Sequence, residues 1–290
     1  MKPGNIGLFV IPALIWGSTW FVIKFQLGTV PPLWSVGYRF LIAGVILLVY
    51  AKIRKINLTF SIGQHLRMLL QGCLLFGFNY WMVYRAEEGL NSALMAVLFS
   101  GIIFTNILFS RIFLGHQARP VIFFGAVMGV AGTILIFYEQ LKDTAWENLP
   151  IQNIVYGAVA VLFASLGNVT SAANQKQQIP VVPSNGFGMT YGALVMFAVA
   201  ALGGSTPTID LSFAYMGSLL YLSFFGSIAA FGAYLSLIGN IGPGRAAYVL
   251  VVIPVIALVI STLFEGYTFA WYALAGVVLI LAGNLTITKK

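Results

Sequence analysis

Residues 6–25 read IGLFVIPALIWGSTWFVIKF, an apolar stretch whose only charge, Lys24, stands near its end. A helix of about 20 residues at 1.5 Å per residue spans about 30 Å, the thickness of a bilayer's hydrocarbon core. Nine more apolar runs bounded by charges, prolines or glycine clusters follow: Pro32 to Ala51, Leu66 to Tyr84, Ser92 to Phe113, Pro120 to Tyr138, Ile154 to Asn174, Ser184 to Gly203, Phe213 to Ile238, Ala246 to Phe264 and Trp271 to Ile287. The reading is therefore an all-α integral membrane protein with ten transmembrane helices.

Composition agrees. The 290 residues are 60% hydrophobic and 8% charged, whereas soluble domains carry roughly 25% charged residues. A chain so apolar cannot enclose enough of its own surface to stay in water. The net charge of +8 implies no nucleic-acid partner, because the basic residues sit in short loops rather than on one exposed face. Cys73 is the only cysteine, so an internal disulfide is excluded and metal-ligand spacing is absent. No cofactor is expected. After Lys2 no small-x-small cleavage pattern precedes the first apolar run, which reads as a retained first helix.

Cytoplasmic loops are enriched in Lys and Arg. Placing the N-terminus inside puts Lys2, Lys52, Arg54, Lys55, Arg67, Arg111, Arg119, Lys176, Arg245, Lys289 and Lys290 on that side, against Lys24, Arg85 and Lys142 outside. Both termini are expected in the cytoplasm. The acids Glu87, Glu88, Glu139, Asp143, Glu147, Asp210 and Glu265 all fall in outer loops or at outer helix ends.

Laying the halves over each other at an offset of 151 pairs Gly37 with Gly188, Ser110 with Ser261, Gly115 with Gly266, Gly125 with Gly276 and Gly132 with Gly283. One residue less pairs Gly7 with Gly157 and Gly17 with Gly167. The register holds through two helices and their loop, as an internal repeat would. Five helices per unit is an odd number, so the second copy enters upside down. The expected units are residues 1–142 and 151–290, an inverted repeat of the kind that secondary transporters use.

The stretch WGSTWFVIK at 16–24, the YRF at 38–40, Pro254 in an apolar helix, FEG at 264–266 and the glycine-spaced closing helix at Gly276 and Gly283 together resemble the EamA family of the drug/metabolite transporter superfamily. The resemblance spans nearly the whole chain. It implies two inverted five-helix units, a central substrate cavity, and export or exchange of small metabolites, often amino acids, at the cytoplasmic (inner) membrane. The sequence departs from the family pattern at Ile103, where a mid-helix proline is usual, and at His116, where Glu is usual after Leu114-Gly115.

Arg39 lies seven residues beyond Pro32, about 10 Å into the helix. A charge there must face the protein interior or a wet cavity. It either attracts a substrate carboxylate or ties carbonyls and helix ends together. Trp16, Trp20 and Lys24 share a face at i, i+4, i+8, reading as an aromatic track or, for Trp20 with Lys24, an interface anchor. Tyr80, Tyr84 and Glu88 form a second such stripe, with Asn79 beside it and Arg85 placed to pair with Glu88. Asn79 either meets substrate or locks two helices. Asn168, opposite Ser18 in the repeat, forms a polar face with Ser165, Ser171 and Gln175 that either lines a cavity or packs. The candidate substrate-binding residues are Trp16, Trp20, Tyr38, Arg39, Asn79, Tyr80, Tyr84, Asn168 and Tyr248. Gly125, Gly129, Gly132, Gly276 and Gly283 read as helix-packing surfaces. His65 and His116 read as solvated loop histidines.

No Ser-His-acid set, phosphate loop or intramembrane carboxylate pair occurs in the sequence, so no enzyme chemistry is expected. With no acidic relay inside the membrane, facilitated export or exchange is expected rather than obligatory proton coupling. The expected cargo is an amino acid or related amphipathic metabolite; oligomeric state is left open. A lipid or polyprenyl carrier, or a membrane assembly subunit, are the alternatives.

Overall fold

The computed structural model describes residues 3–90, 92–115, 120–136, 138–142, 150–264 and 271–288. Lys2, His116, Arg119, Asp143, Glu147, Glu265, Gly266, Lys289 and Lys290, all invoked above, lie outside them. Among the described residues every regular element is a helix: α1 (Pro3–Ile23), α2 (Pro32–Ile53), α3 (Ile62–Gln71), α4 (Asn79–Glu87), α5 (Ser92–Ser100), α6 (Ile102–Leu114), α7 (Pro120–Ile136), α8 (Tyr138–Lys142), α9 (Ile151–Lys176), α10 (Val181–Leu202), α11 (Phe213–Tyr221), α12 (Ala230–Ile241), α13 (Pro243–Ala246), α14 (Tyr248–Phe264) and α15 (Trp271–Thr288).

Helix boundaries follow local chemistry. Pro32 stands at the first helical position of α2, where its missing N–H costs nothing. Ser61 and Gln64 form a reciprocal cap on α3, with Ser61 Oγ accepting from the Gln64 amide and Gln64 Oε1 from the Ser61 amide. Gly115, at φ +67°, ends α6 in a conformation that side chains resist.

Over the described residues the expected spans fall on helix, except that a turn at Gly101 divides the fourth and one at Ala247 interrupts the start of the ninth. By length and apolar composition, Gly4–Gln26, Pro32–Ile53, Val97–Leu114, Ile151–Lys176, Val181–Leu202 and Phe213–Ile241 are long enough to cross a membrane, and Pro120–Ile136, Pro243–Ile256 and Trp271–Gly283 are shorter apolar helices. The third expected span begins earlier, at Ile62, and its helix runs on to Glu87. Large apolar side chains such as Leu14, Val49, Phe124, Val155 and Val278 project outward, the arrangement of an integral membrane protein whose outer surface meets lipid.

Two stretches depart from α geometry. Gly72–Phe78 joins α3 to α4 as a π-helix, and Leu222–Ala229 joins α11 to α12 in the same way. Such widened turns are rare and frequent at functional sites.

Glycines set the closest helix pairs. A Cβ on Gly132 of α7 would meet the Gly276 carbonyl of α15 at 2.6 Å, and one on Gly283 would meet the Gly125 carbonyl at 2.9 Å. Residue numbers rise along one helix as they fall along the other, so α7 and α15 run antiparallel. The pair α2 and α10 does the same: Gly37 faces Phe197, and Gly44 faces Thr190 and the Gly186 carbonyl. Absent side chains let these backbones approach, which is how packing holds helices together where water supplies no driving force. The contacts are also reciprocal: α1 packs on α12 and α14, while α9 packs on α4 and α6.

At one end of the bundle a buried amide cluster joins three helices. Gln71 Oε1 accepts from Asn174 Nδ2 (2.9 Å) and Ser184 Oγ (2.9 Å), and Gln71 Nε2 donates to Asn185 Oδ1 (3.2 Å). His65 is not the solvated loop histidine expected from sequence. It sits within α3, its Nδ1 is 2.8 Å from the Tyr191 hydroxyl, and its ring packs edge-on to Phe187.

Candidate functional site

A cavity of about 560 Å³, its mouth included, lies between α1, α4, α9, α12 and α14 with the ends of α5 and α6. It runs along α1 from Trp16 to Ile23 and along α4 from Asn79 to Val83, toward the helix ends that carry Lys24 and Glu87. The walls are aromatic. Trp16 packs edge-to-face on Phe231 (4.9 Å) and Tyr234 (5.1 Å), and Trp20 on Phe99 (5.2 Å), geometry that fixes ring orientation beyond simple burial.

Its polar groups are few. The Trp16 indole N–H is occupied, donating to the Gly226 carbonyl at 3.0 Å. Asn79 Nδ2 donates to the Leu75 carbonyl of its own helix (3.2 Å), leaving Asn79 Oδ1 buried with no partner. Asn168 Nδ2 reaches Asn106 Oδ1 (3.5 Å) and the Tyr234 hydroxyl (3.4 Å), and Asn168 Oδ1 is likewise unpartnered. Two bare amide oxygens in an apolar, aromatic chamber are a costly arrangement unless something donates to them. Such a chamber suits a ligand with an apolar body and a few donor groups.

Of the residues singled out by sequence, Trp16, Trp20, Asn79, Tyr80 and Asn168 line this cavity together. The others face elsewhere. Tyr38 stacks on Trp34 (6.0 Å) and lies tilted against Phe197 (5.5 Å) on the α2–α10 contact. Tyr84, one turn beyond Tyr80, donates its hydroxyl to Gln26 Oε1 at 2.7 Å. Tyr248, at the start of α14, donates to the Ile122 carbonyl of α7. Arg39 stands behind the wall: its guanidinium lies 4.4 Å from the Tyr80 ring centroid, and its Nε–H donates to Ser227 Oγ at 3.0 Å. The structural tie is present, yet both Nη atoms have no hydrogen-bond partner.

Arg85 and Glu88 form the local ion pair that their spacing implies, at 2.7 Å and partly exposed. Glu87 beside them differs from a free rim acid. The residue is half-buried, and its Oε2 is sequestered without a partner. It stands three residues beyond the expected span, and burial pushes its carboxyl up to about 8 despite the opposing charges of Lys24 and Arg39.

Sequence reading missed Thr19, Phe99, Phe231 and Tyr234, which also line the cavity, together with aliphatic residues such as Ile23, Leu75 and Leu250. Phe231 and Tyr234 stand three apart on α12, a spacing that shares a face.

The sequence profile of the EamA-like transporter family matches residues 4–138 and again 152–289. The chain is similar to the uncharacterized inner membrane transporter YedA of Escherichia coli, 30% identical over 95% of this chain and 88% of that one. It is similar to the protein PagO of Salmonella typhimurium, 22% identical over 98% of this chain and 95% of that one. A Salmonella typhimurium protein named as a probable amino-acid metabolite efflux pump is 22% identical over 97% of this chain and 93% of its own. A solved crystal structure shares the fold at a TM-score of 0.79, with 17% identity, covering 99% of this chain and 97% of that one.

Proposed function

Because the chain belongs to the EamA-like transporter family, and is on that ground a transporter of the inner membrane, we propose that it carries an amino acid or a closely related amphipathic metabolite, by export or exchange. The observation that carries this reading is the aromatic cavity with its two unpartnered amide oxygens, Asn79 Oδ1 and Asn168 Oδ1. The similar Salmonella typhimurium protein, named as a probable amino-acid metabolite efflux pump, points to the same cargo class.

Alternating access between two inverted units, residues 1–142 and 151–290, is the mechanism proposed, with ten crossings and both termini cytoplasmic. Antiparallel, reciprocal packing of α2 on α10 and α7 on α15 supports it. Copies related by an axis in the membrane plane meet head to tail, whereas copies related by an axis along the membrane normal would meet in parallel. The same offset of 151 recurs in the element starts: α4 at 79 and α12 at 230, α7 at 120 and α15 at 271. Cavity residues come from both units, so rocking one against the other around the cavity exposes it alternately. Transport is proposed without obligatory proton coupling.

The deciding experiment is counterflow of radiolabelled amino acids and related metabolites in liposomes holding the purified protein. Exchange of one chemical class supports a carrier and names its cargo. No movement of any amphipathic metabolite, in a preparation verified as folded, overturns the reading in favour of lipid handling or an assembly role.

A further inference from the structure

Behind the Tyr80 wall lies a second polar group of side chains that the cavity does not include. Gln26 ends the short turn after α1, Arg39 lies on α2, and Tyr84 and Glu87 lie on α4. Gln26 and Arg39 are 1% and 0% exposed. Among their polar atoms, Gln26 Nε2, Arg39 Nη1, Arg39 Nη2 and Glu87 Oε2 are buried and unpartnered. The hydroxyls of Tyr80 and Tyr84 lie beside the guanidinium. Arg39 and Glu87 feel each other's charge, yet the neighbouring Arg85 pairs with Glu88, and both Nη atoms of Arg39 and Oε2 of Glu87 stay without a partner.

This inventory is lopsided in a specific way. Three free donors stand at or beside a fixed cation, and a free acceptor stands on the nearby Glu87 carboxyl, which becomes an anion as the pH passes about 8. A guanidinium buried without a carboxylate is unfavourable, and its fork of two N–H edges matches a carboxylate bidentately. A carboxylate oxygen with no donor is equally unfavourable and matches an ammonium. The missing side chain at Gly226 lets the guanidinium sit there, since a Cβ would come within 3.1 Å of Arg39 Nη2.

We propose that Arg39 with Gln26, and Glu87 opposite them, are the two poles of a zwitterion site that holds the α-carboxylate and α-ammonium of an amino acid, while its side chain lies in the aromatic cavity across Tyr80. Tyr80 joins the two compartments, since its ring lines the cavity and also covers the guanidinium. The assignment rests on the transport reading for its cargo, but it makes a demand of its own: both charges must be present on one ligand.

The test is equilibrium binding at pH 8.5, where Glu87 is mostly ionised, to the purified, detergent-solubilised protein with two sets of probes: L-phenylalanine, N-acetyl-L-phenylalanine and 2-phenylethylamine, then L-leucine, N-acetyl-L-leucine and isoamylamine. At least one of the two zwitterions is expected to bind tenfold or more tightly than its anion-only and cation-only counterparts. Glu87→Gln is expected to lower that zwitterion to the level of its N-acetyl form, and Arg39→Lys to weaken it about tenfold, since lysine cannot reproduce the fork. If Arg39→Lys does not give a monodisperse protein, the wild-type probe series and Glu87→Gln still decide. Equal binding of a zwitterion and its analogues, absence of binding by both zwitterions, or an unchanged Glu87→Gln overturns the site. Counterflow of another metabolite class with no zwitterion preference removes this site and leaves the carrier reading. Zwitterion binding without counterflow leaves the site and removes the carrier.

Discussion

The guanidinium of Arg39 sits 4.4 Å from the centroid of Tyr80, and the ring that covers this buried cation is also part of the cavity wall. A change at position 80 therefore acts on both. Tyr80→Phe keeps the ring and is expected to retain transport within about threefold. Tyr80→Leu removes a cation–π contact of about 0.5–2 kcal/mol and opens the wall, so initial counterflow rates should fall at least fivefold. Equal rates in the two variants would separate Tyr80 from the cargo path.

Asn79 donates only to a carbonyl of its own helix run, so its side chain contributes little to holding helices together. Asn79→Leu should leave thermal unfolding in detergent nearly unchanged. Loss of one buried hydrogen bond to the cargo, about 1–2 kcal/mol, should raise the half-saturating concentration for counterflow roughly tenfold. A variant that melts early with normal affinity would assign Asn79 to packing instead.

Glu87 yields a pH dependence with a definite sign. Its carboxyl is raised to about 8 by burial, so the folded protein holds this proton more tightly than the unfolded chain does. The stabilisation from this group is complete below the ordinary carboxylate range and is lost as the pH rises through 8. Wild-type protein should lose thermal stability between pH 5 and pH 9 more than Glu87→Gln does. Binding of a zwitterionic probe runs the other way, tightening from pH 6.5 to pH 8.5 as the carboxylate ionises while the probe's ammonium keeps its proton, and staying flat in Glu87→Gln. Lys24, Arg39, Tyr80 and Tyr84 are the charged and titratable groups whose charge this carboxyl feels or influences.

Gly132 and Gly232 make a matched pair for stability. A Cβ at Gly132 collides with the Gly276 carbonyl and with Ile280 Cγ1 at 2.7 Å, whereas a Cβ at Gly232 meets nothing within 4 Å. Gly132→Ala should cost about 1–3 kcal/mol from overpacking. Gly232→Ala should be neutral or stabilise by a few tenths up to about 1 kcal/mol through the unfolded chain. Unfolding curves of the two variants in one detergent check the contrast.

Helix positions, the glycine seams and the Arg85–Glu88 pair were legible because each rests on local chemistry: run length, absent side chains, and i to i+3 spacing. The cavity was half legible. Trp16, Trp20, Asn79, Tyr80 and Asn168 stood out as bulky or polar groups in apolar helices, and they do converge. Tyr38, Tyr84 and Tyr248 carry the same signature yet point into helix contacts. In a helix apolar on all sides, the pattern of residues does not mark which face meets a neighbour, so a tyrosine bonding a carbonyl looks like one bonding a ligand. Phe99 and Phe231 were hidden for the converse reason, as aromatic residues among many others. The π-helical stretches leave no periodic trace, because GCLLFGF and LSFFGSIA read as ordinary apolar helix.

Gly72–Phe78 has a bearing on which length changes the chain can tolerate. An α-helix turns about 100° per residue, and the widened turns of this stretch hold more residues per turn than α geometry admits. Seven residues at about 80° each and six at about 100° cover nearly the same rotation, so deleting one residue here lets the helix relax to regular winding while Asn79, Tyr80, Tyr84 and Glu87 keep close to their present facing. The same deletion between Asn79 and Glu87, in regular α-helix, would swing everything beyond it by about 100°. A single codon loss along 72–78 is therefore survivable in a way that one along α4 is not.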